Sequence, residues 1–295
     1  MTKITFGMIV FESDFVLYEC LKQVYPIAHQ IVIAEGPVSY WQSQGRTTST
    51  DLTNSIIDNF PDPDNKISII HSKYNEKDDQ CRAYIDQIKP DTDYLWNLDA
   101  DEIYKTEDLY KISEFLSEEN PTSVGVRSIS FYGGFDYYLT GFELKTDNFL
   151  RIFKYEPGCT WLTHRPPTIQ YTSNILKKHI NSDQLYDYTG AQMYHYSYVF
   201  PDQVYNKINY YKTSVSKSNC IDNYFNNIYL PWVNGNDIIK NHIEYKYKGV
   251  HEFIPEVRGS CYTAPFMNKH PESIQNNLNQ LKEKFNIQLE KYNAK

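Results

Sequence analysis

The apolar positions of the first half change period in a regular way. Ile4 to Val10 is an apolar run of strand type. After Ser13, which can cap a helix, Leu17, Leu21 and Val24 recur at helical spacing until Pro26 ends the pattern. Gln30 to Ala34 is a second short strand that stops at Glu35-Gly36-Pro37. A polar stretch, Ser39 to Thr48, follows, and Ser49-Thr50-Asp51 then opens a helix with Leu52, Ile56, Ile57 and Phe60 on one side. Asp62 to Asn65 reads as a turn and Ile67 to Ile70 as the third strand. A helix around Asp79 to Ile88 turns Tyr84, Ile85 and Ile88 inward and leads to a fourth strand, Tyr94 to Asn97. Thr106 can cap the next helix, with Leu109, Ile112 and Leu116 inward. Strands alternating with helices at this pitch predict an α/β fold, a mostly parallel central sheet flanked by helices on both faces.

Beyond residue 120 the alternation gives way to strand signals. Val124 to Phe131, Tyr137 to Leu139, Phe149 to Phe153 and Met193 to Tyr198 all have strand character. Pro201-Asp202 caps a helix carrying Lys207 and Lys212, whose solvated face is the simplest reading, and from Val204 the chain is mainly helical. Tyr224 to Trp232 reads as a loop-rich aromatic stretch whose Tyr224, Phe225, Tyr229 and Trp232 pack the extension. Ile274, Leu278, Leu281 and Phe285 form the apolar stripe of a last helix that docks on the body or on a second subunit. The expected divisions are residues 1–120, 121–200 and a helical extension, 201–295.

Composition narrows the class. With 295 residues and 41% hydrophobic content the chain can bury a sizeable core, and 22% charged residues exclude a disordered chain or coiled coil. A net charge of -8 argues against a nucleic-acid partner. The 27 Tyr and 15 Phe are compatible with stacking on sugars or bases. Five cysteines, odd in number and without a Cys-x-x-Cys pair, argue against a disulfide framework or zinc site and for a reducing compartment. The N-terminus has no long apolar segment and every apolar run is too short to span a membrane, so a cytoplasmic protein is expected.

The candidate chemistry centres on Asp99-Ala100-Asp101, which follows the fourth strand. Two carboxylates at i and i+2 on a strand end can lean the same way. They supply hard oxygen ligands suited to Mg²⁺ or Mn²⁺, which in turn hold phosphates. An isolated Asp-x-Asp is more often an acidic turn. In a parallel sheet, however, ligands sit beyond the carboxyl ends of the strands, and Glu35 and the Asp99/Asp101 pair both lie there. Neither a Gly-x-Gly-x-x-Gly nor a Walker-type loop occurs. Asp51 is read first as a helix cap.

In order, these pieces resemble the GT-A nucleotide-sugar glycosyltransferases, in particular the family 2-like group. Met8 to Glu12 with its following helix resembles that family's first strand and helix, and Gln30 to Glu35 its second strand, with Glu35 in place of the usual Asp. Ser49-Thr50-Asp51-Leu52-Thr53 resembles its Gly-Ser-x-Asp-x-Thr, displaced by an insertion, Pro37 to Thr48. Gln80-Cys81-Arg82-Ala83 resembles its Ala-Arg-Asn, and Leu98 to Glu102 its Asp-x-Asp with a trailing Glu. The resemblance covers residues 4 to 105. Phe149 to Lys154, with Trp161 and His164, resembles a later Arg-x-Phe segment that normally ends His-Glu; here it reads His164-Arg165-Pro166. Family 17-like enzymes share a similar layout.

The resemblance implies a GT-A, Rossmann-like fold and transfer of a sugar from a nucleotide-sugar donor to a glycan or other hydroxyl acceptor. Glu35, Arg82, Asp99, Ala100 and Asp101 would bind the donor. Asp99 and Asp101 would hold Mn²⁺ or Mg²⁺, Asp101 directly, with His195 or His164 as a further ligand. Glu102 would orient the loop or pair with Arg82. An inverting reaction would need a carboxylate base, for which Asp136, Glu143 and Asp147 are unranked candidates; stereochemistry and oligomeric state stay open. The rival readings are a non-catalytic carbohydrate-binding or degenerate transferase module and a haloacid-dehalogenase-type phosphatase. The phosphatase would want its Asp-x-Asp on the first core strand and a downstream Gly-Asp-x-x-Asp, which is absent.

Overall fold

The computed structural model describes residues 2–141, 149–174, 176–214, 223–247 and 262–294. In chain order its strands are β1 (Ile4–Val10), β2 (Ala28–Glu35), β3 (Ile67–His71), β4 (Tyr94–Asn97), β5 (Glu102–Ile103), β6 (Ser123–Val126), β7 (Ser128–Tyr132), β8 (Tyr137–Thr140), β9 (Phe149–Lys154), β10 (Thr160–His164), β11 (Pro167–Gln170), β12 (His179–Ile180), β13 (Met193–Tyr198) and β14 (Tyr262–Pro265). The chain divides into two compact units. One comprises residues 1–128, 147–193 and 271–273, the other residues 129–146, 194–270 and 274–295.

The first unit holds a seven-stranded sheet of order β12-β6-β9-β4-β1-β2-β3. β1 runs parallel to β2 and β4, and β2 parallel to β3. β9 is inserted antiparallel between β4 and β6. The sheet is thus α/β and mostly parallel, as the alternation predicts. Phe6, Met8, Ile31, Ile33, Leu95 and Trp96 are fully buried, which explains why these strands are near-continuous apolar runs. The predicted helices form as α1 (Leu17–Val24), α3 (Thr53–Asn59), α4 (Lys77–Ile85) and α5 (Thr106–Glu119), and the polar stretch adds an unexpected short helix, α2 (Ser39–Ser43). Helix α6 (Ser182–Thr189) begins at an Asn181 cap, whose side chain accepts from the Gln184 N–H at 2.9 Å.

Three local expectations change. Ser13 does not cap α1; its hydroxyl turns back to the Phe11 carbonyl at 2.9 Å. Thr106 is the first helical residue of α5 rather than its cap, and its hydroxyl accepts from Gln23. The strand expected over Val124 to Phe131 breaks at Arg127, whose carbonyl accepts from Met193 N–H at 2.8 Å and whose guanidinium pairs with Asp183. One glycine is required by packing: a Cβ on Gly7 of β1 would lie 2.5 Å from the ring of Tyr84, which α4 presses onto the sheet. Gly36, with φ of 145°, ends β2 with the Ser72 carbonyl in the space a side chain would need.

The second unit carries β14, β8, β7 and β13 as neighbouring strands. Its helices are α7 (Pro201–Ser214), α8 (Leu230–Asn234), α9 (Asp237–Lys246) and α10 (Glu272–Asn293). The stretch expected as an aromatic loop is a π-helical turn, Phe225–Tyr229, running into α8. Tyr224, Phe225, Tyr229 and Trp232 are all buried there with Tyr132, Val204 and Ile208, so the packing reading of these rings holds. Their polar atoms are satisfied internally, Tyr229 donating to the Val199 carbonyl at 2.6 Å. In α10, Ile274 and Leu281 are buried. Among the described residues no helix is long and apolar enough to cross a membrane.

Candidate active site

β4 delivers the Asp-Ala-Asp loop. Trp96 and Asn97 are buried, and the Leu98 N–H still follows the sheet, donating to the Gly7 carbonyl at 3.0 Å. The chain then turns back, with the Glu102 N–H on the Asp99 carbonyl at 3.1 Å. Ala100 is buried at the turn, while Asp99 and Asp101 are half-buried at its rim.

A buried arginine fixes this turn. The antiparallel pairing of Trp96 with Ile152 brings Arg151 of β9 alongside the loop. Its Nε donates to both Glu102 oxygens at 2.9 Å, and its Nη2 donates to Glu102 Oε1 and, at 3.0 Å, to Asp99 Oδ2. Glu102 is completely buried and its Oε2 also accepts from the Asp99 N–H at 3.3 Å. The Cys20 thiol donates to the Glu102 carbonyl at 3.3 Å. Glu102 therefore does orient the loop, but through Arg151 and not Arg82. Arg82 is occupied elsewhere: it pairs with Asp79 one turn back and donates to the Trp161 and Leu162 carbonyls, tying α4 to β10. Stripping one partner from a buried pair of this kind costs about 3–5 kcal/mol, because the other charge stays buried.

The electrostatics follow from this packing. Burial pushes the Asp99 carboxyl up, but the charges around it, the Arg151 guanidinium foremost, outweigh this and hold Asp99 below the usual carboxylate range. Burial disfavours the Arg151 charge, and Glu102 and Asp99 overcome that and hold it firmly protonated. His164 ends β10 inside the protein, with Nδ1 3.8 Å from the Cys81 sulfur, and its backbone N–H donates to Asp78 Oδ1 at 2.6 Å. Burial pushes its imidazole down to about 3 against the pull of Asp99, so it is neutral at physiological pH. His195 is half-buried on β13 of the second unit.

Glu35 ends β2, two strands from β4 at the same sheet edge. It is buried, and both its oxygens are engaged: Oε1 accepts from the Ser49 hydroxyl at 2.7 Å and Oε2 from His71 Nδ1 at 3.1 Å. Ser49 Oγ accepts in turn from the Glu12 N–H at 3.0 Å. Glu12 sits in the left-handed region, φ 49°, and its carboxylate anchors the insertion through Thr50 and Arg46. Arg46 lies 4.8 Å over the Trp41 ring. Asp51 is not the cap expected of it: Leu52 holds that position before α3, and Asp51 closes the turn ahead of it, its Oδ1 accepting from the Thr53 N–H at 3.0 Å and its Oδ2 from the Asp14 N–H at 3.1 Å. The Tyr74 hydroxyl is buried and without a hydrogen-bond partner among the described residues; burial, then Glu35, push it up to about 12.

Of the carboxylates considered as a base, Asp136 is an exposed member of an ion pair with Lys282, at 2.7 Å, in the second unit. Glu143 and Asp147 lie outside the described residues. Among the described residues no three His, Cys, Asp or Glu side chains converge into a closed metal cage. Two strand-end carboxylates fit instead a Mg²⁺- or Mn²⁺-type ion that takes its remaining ligands from water and a substrate's phosphates. Sequence reasoning missed Arg151 as the partner of this loop, although it stands in the quoted Arg-x-Phe segment. It also missed Ser49 and His71 as partners of Glu35.

Residues 47–180 match the family described as glycosyl transferase family 2. The match starts where the insertion ends and takes in Arg82, the Asp99-Ala100-Asp101 loop, Arg151 and His164. The expected family 2-like likeness is thus borne out on that stretch. Among curated proteins none matches. Solved structures of S. aureus TarS are similar at a low level. The 1–349 fragment aligns at 13% identity and a TM-score of 0.38 over 72% of this chain and 65% of that one. Its complex with UDP aligns at 14% and 0.39 over 70% and 63%. Its complex with UDP-GlcNAc aligns at 11% and 0.40 over 87% and 82%. The chain spans under two thirds of the first two, and alignments at these scores carry no functional weight.

Proposed function

We infer that this chain, whose residues 47–180 match glycosyl transferase family 2, moves a sugar from a nucleotide-sugar donor to a glycan or other hydroxyl acceptor with the help of Mn²⁺ or Mg²⁺. One observation carries the reading. Inside the matched stretch, two carboxylates stand at the carboxyl end of a parallel strand on a loop that a buried Arg151–Glu102 pair holds rigid. That is where such sheets bind ligands, and rigidity is what positioning a diphosphate requires.

Asp101 would hold the cation directly and Asp99 through its oxygen not engaged by Arg151 or through a bound water. When bound, the cation neutralises charge developing on the leaving diphosphate. His164, buried and neutral, does not join Asp99 and Asp101 in a preformed ligand cluster among the described residues, so the cation's remaining ligands are assigned to water and the diphosphate rather than to His164 or His195. Glu35 would form the nucleoside end of the site, its carboxylate held by Ser49 and His71. Its Lys282 pairing speaks against Asp136 as base. The phosphatase alternative is disfavoured because the Asp-x-Asp follows the fourth strand, at the edge between β4 and β1.

The test is calorimetric titration with UDP, GDP and dTDP, each with and without Mn²⁺, on the wild type and Asp101→Ala. Manganese-dependent binding of one nucleotide, lost in the variant, is expected. Donor hydrolysis by the wild type then separates an enzyme from a binding module. Absence of binding for all three nucleotides would remove the donor-site assignment of Glu35, Asp99 and Asp101.

A further inference from the structure

We propose that Arg151 is a positioning residue that makes cation binding at the Asp99-Ala100-Asp101 loop depend on the nucleotide. The inference rests on reading the loop as a cation–diphosphate site and concerns how that site is controlled. Three carboxylates fall within four residues, at Asp99, Asp101 and Glu102. Such a density of negative charge would by itself attract a divalent cation with no substrate present. Arg151 prevents this in two ways. It takes Glu102 out of the ligand set altogether, since that side chain is fully buried under the guanidinium. It also occupies Oδ2 of Asp99 at 3.0 Å.

The guanidinium is there whether or not a nucleotide is. β9 pairing fixes its backbone, and Glu102 holds its fork from within the protein. A cation on Asp99 would sit about 5 Å from that positive charge, one hydrogen bond plus one metal–oxygen bond away. Repulsion between a unit charge and a dication at that distance weakens binding about tenfold even at the dielectric constant of water. The described side chains offer no third acidic or imidazole ligand in a preformed cluster to compensate. A diphosphate brings both the missing oxygens and the missing negative charge, so cation and nucleotide favour each other's binding.

Two measurements test this. On the wild type, Mn²⁺ affinity is read by electron paramagnetic resonance of the free ion, alone and with saturating UDP, GDP or dTDP. At least a tenfold tightening is expected with the nucleotide that binds; equal affinity with and without it would overturn the proposal. The same titration without nucleotide is run on Arg151→Met and Arg151→Lys, with near-ultraviolet circular dichroism reporting the fold. Lys keeps the charge but cannot fork both carboxylates. The Met variant should bind Mn²⁺ alone about tenfold more tightly than wild type, and the Lys variant should fall between them. A purely structural arginine would instead give unchanged or weaker Mn²⁺ binding in whichever variant folds, and that result would refute the assignment. If no nucleotide binds the wild type, the transferase reading fails, while the nucleotide-free series still decides the role of Arg151.

Discussion

Gly7→Ala is the substitution whose cost can be worked most directly from the geometry. The added methyl would stand 2.5, 2.6 and 2.9 Å from three carbons of the Tyr84 ring. Real contacts of this kind begin near 3.5 Å, so something must move by about 1 Å. Tyr84 has little room: its ring is fully buried, faces Trp161 at 6.0 Å and donates its hydroxyl to Asn97 at 3.1 Å. Overpacking a site like this costs about 1–3 kcal/mol, and losing the Tyr84–Asn97 hydrogen bond adds about 1 kcal/mol. A total of about 2–4 kcal/mol is expected, read as a fall in the urea midpoint at unchanged slope. The strain also has an address. Gly7 pairs with Asn97 and its carbonyl receives the Leu98 N–H, immediately before Asp99. Nucleotide affinity should therefore weaken in Gly7→Ala even under conditions where it is fully folded. A double-mutant cycle checks the cause. Tyr84→Leu removes the ring, so its combination with Gly7→Ala should be less destabilised than the sum of the two single changes. Strict additivity, or a loss below about 0.5 kcal/mol for Gly7→Ala alone, would refute the close-packing argument.

Other perturbations probe the remaining network. Glu102→Gln leaves Arg151 buried with Asp99 as its one carboxylate partner and should cost about 3–5 kcal/mol in denaturant unfolding; a loss under about 1 kcal/mol would show that the clamp contributes little. In the second unit, burial pushes the His270 imidazole down to about 4, among Phe131, Phe135 and Phe266 and against the Tyr196 hydroxyl at 2.9 Å. The unfolded chain therefore takes up the proton first. Stability should be complete above about pH 6.5 and fall by up to about 3 kcal/mol as pH drops to about 4, a slope that His270→Gln should remove. On the surface of the first unit, Ser173 and Thr172 donate hydrogen bonds to the Glu156 carboxylate and hold it down at about 2. Its folded value lies below its unfolded one, so its contribution is present above about pH 4.5 and disappears as pH falls toward 2. The melting temperatures of wild type and Glu156→Gln should converge across that window, and a constant difference would sink the assignment.

What the sequence determined by itself is what short range encodes. Apolar runs and helical spacing sufficed for β1 to β4, α1 and α3 to α5, because each element buries one face of its own residues whatever its neighbours are. The ordered motifs from Met8 to Glu102 pointed to the strand ends where ligands bind, since a parallel sheet puts all its carboxyl ends on one edge. What tertiary structure decided is which side chain meets which. Arg151 reaches Glu102 across 49 positions only because β9 inserts antiparallel beside β4, a pairing no local pattern announces; Arg82, nearer in sequence, turns to β10 instead. Ser49 and His71 find Glu35 in the same way, from a loop and a neighbouring strand. Tyr224 to Trp232 looks like a loop because Asn and Pro interrupt its aromatic residues, yet it is helical. Burial of its rings against Tyr132 and Val204 outweighs local propensity, and that stabilisation exists only once distant segments have come together.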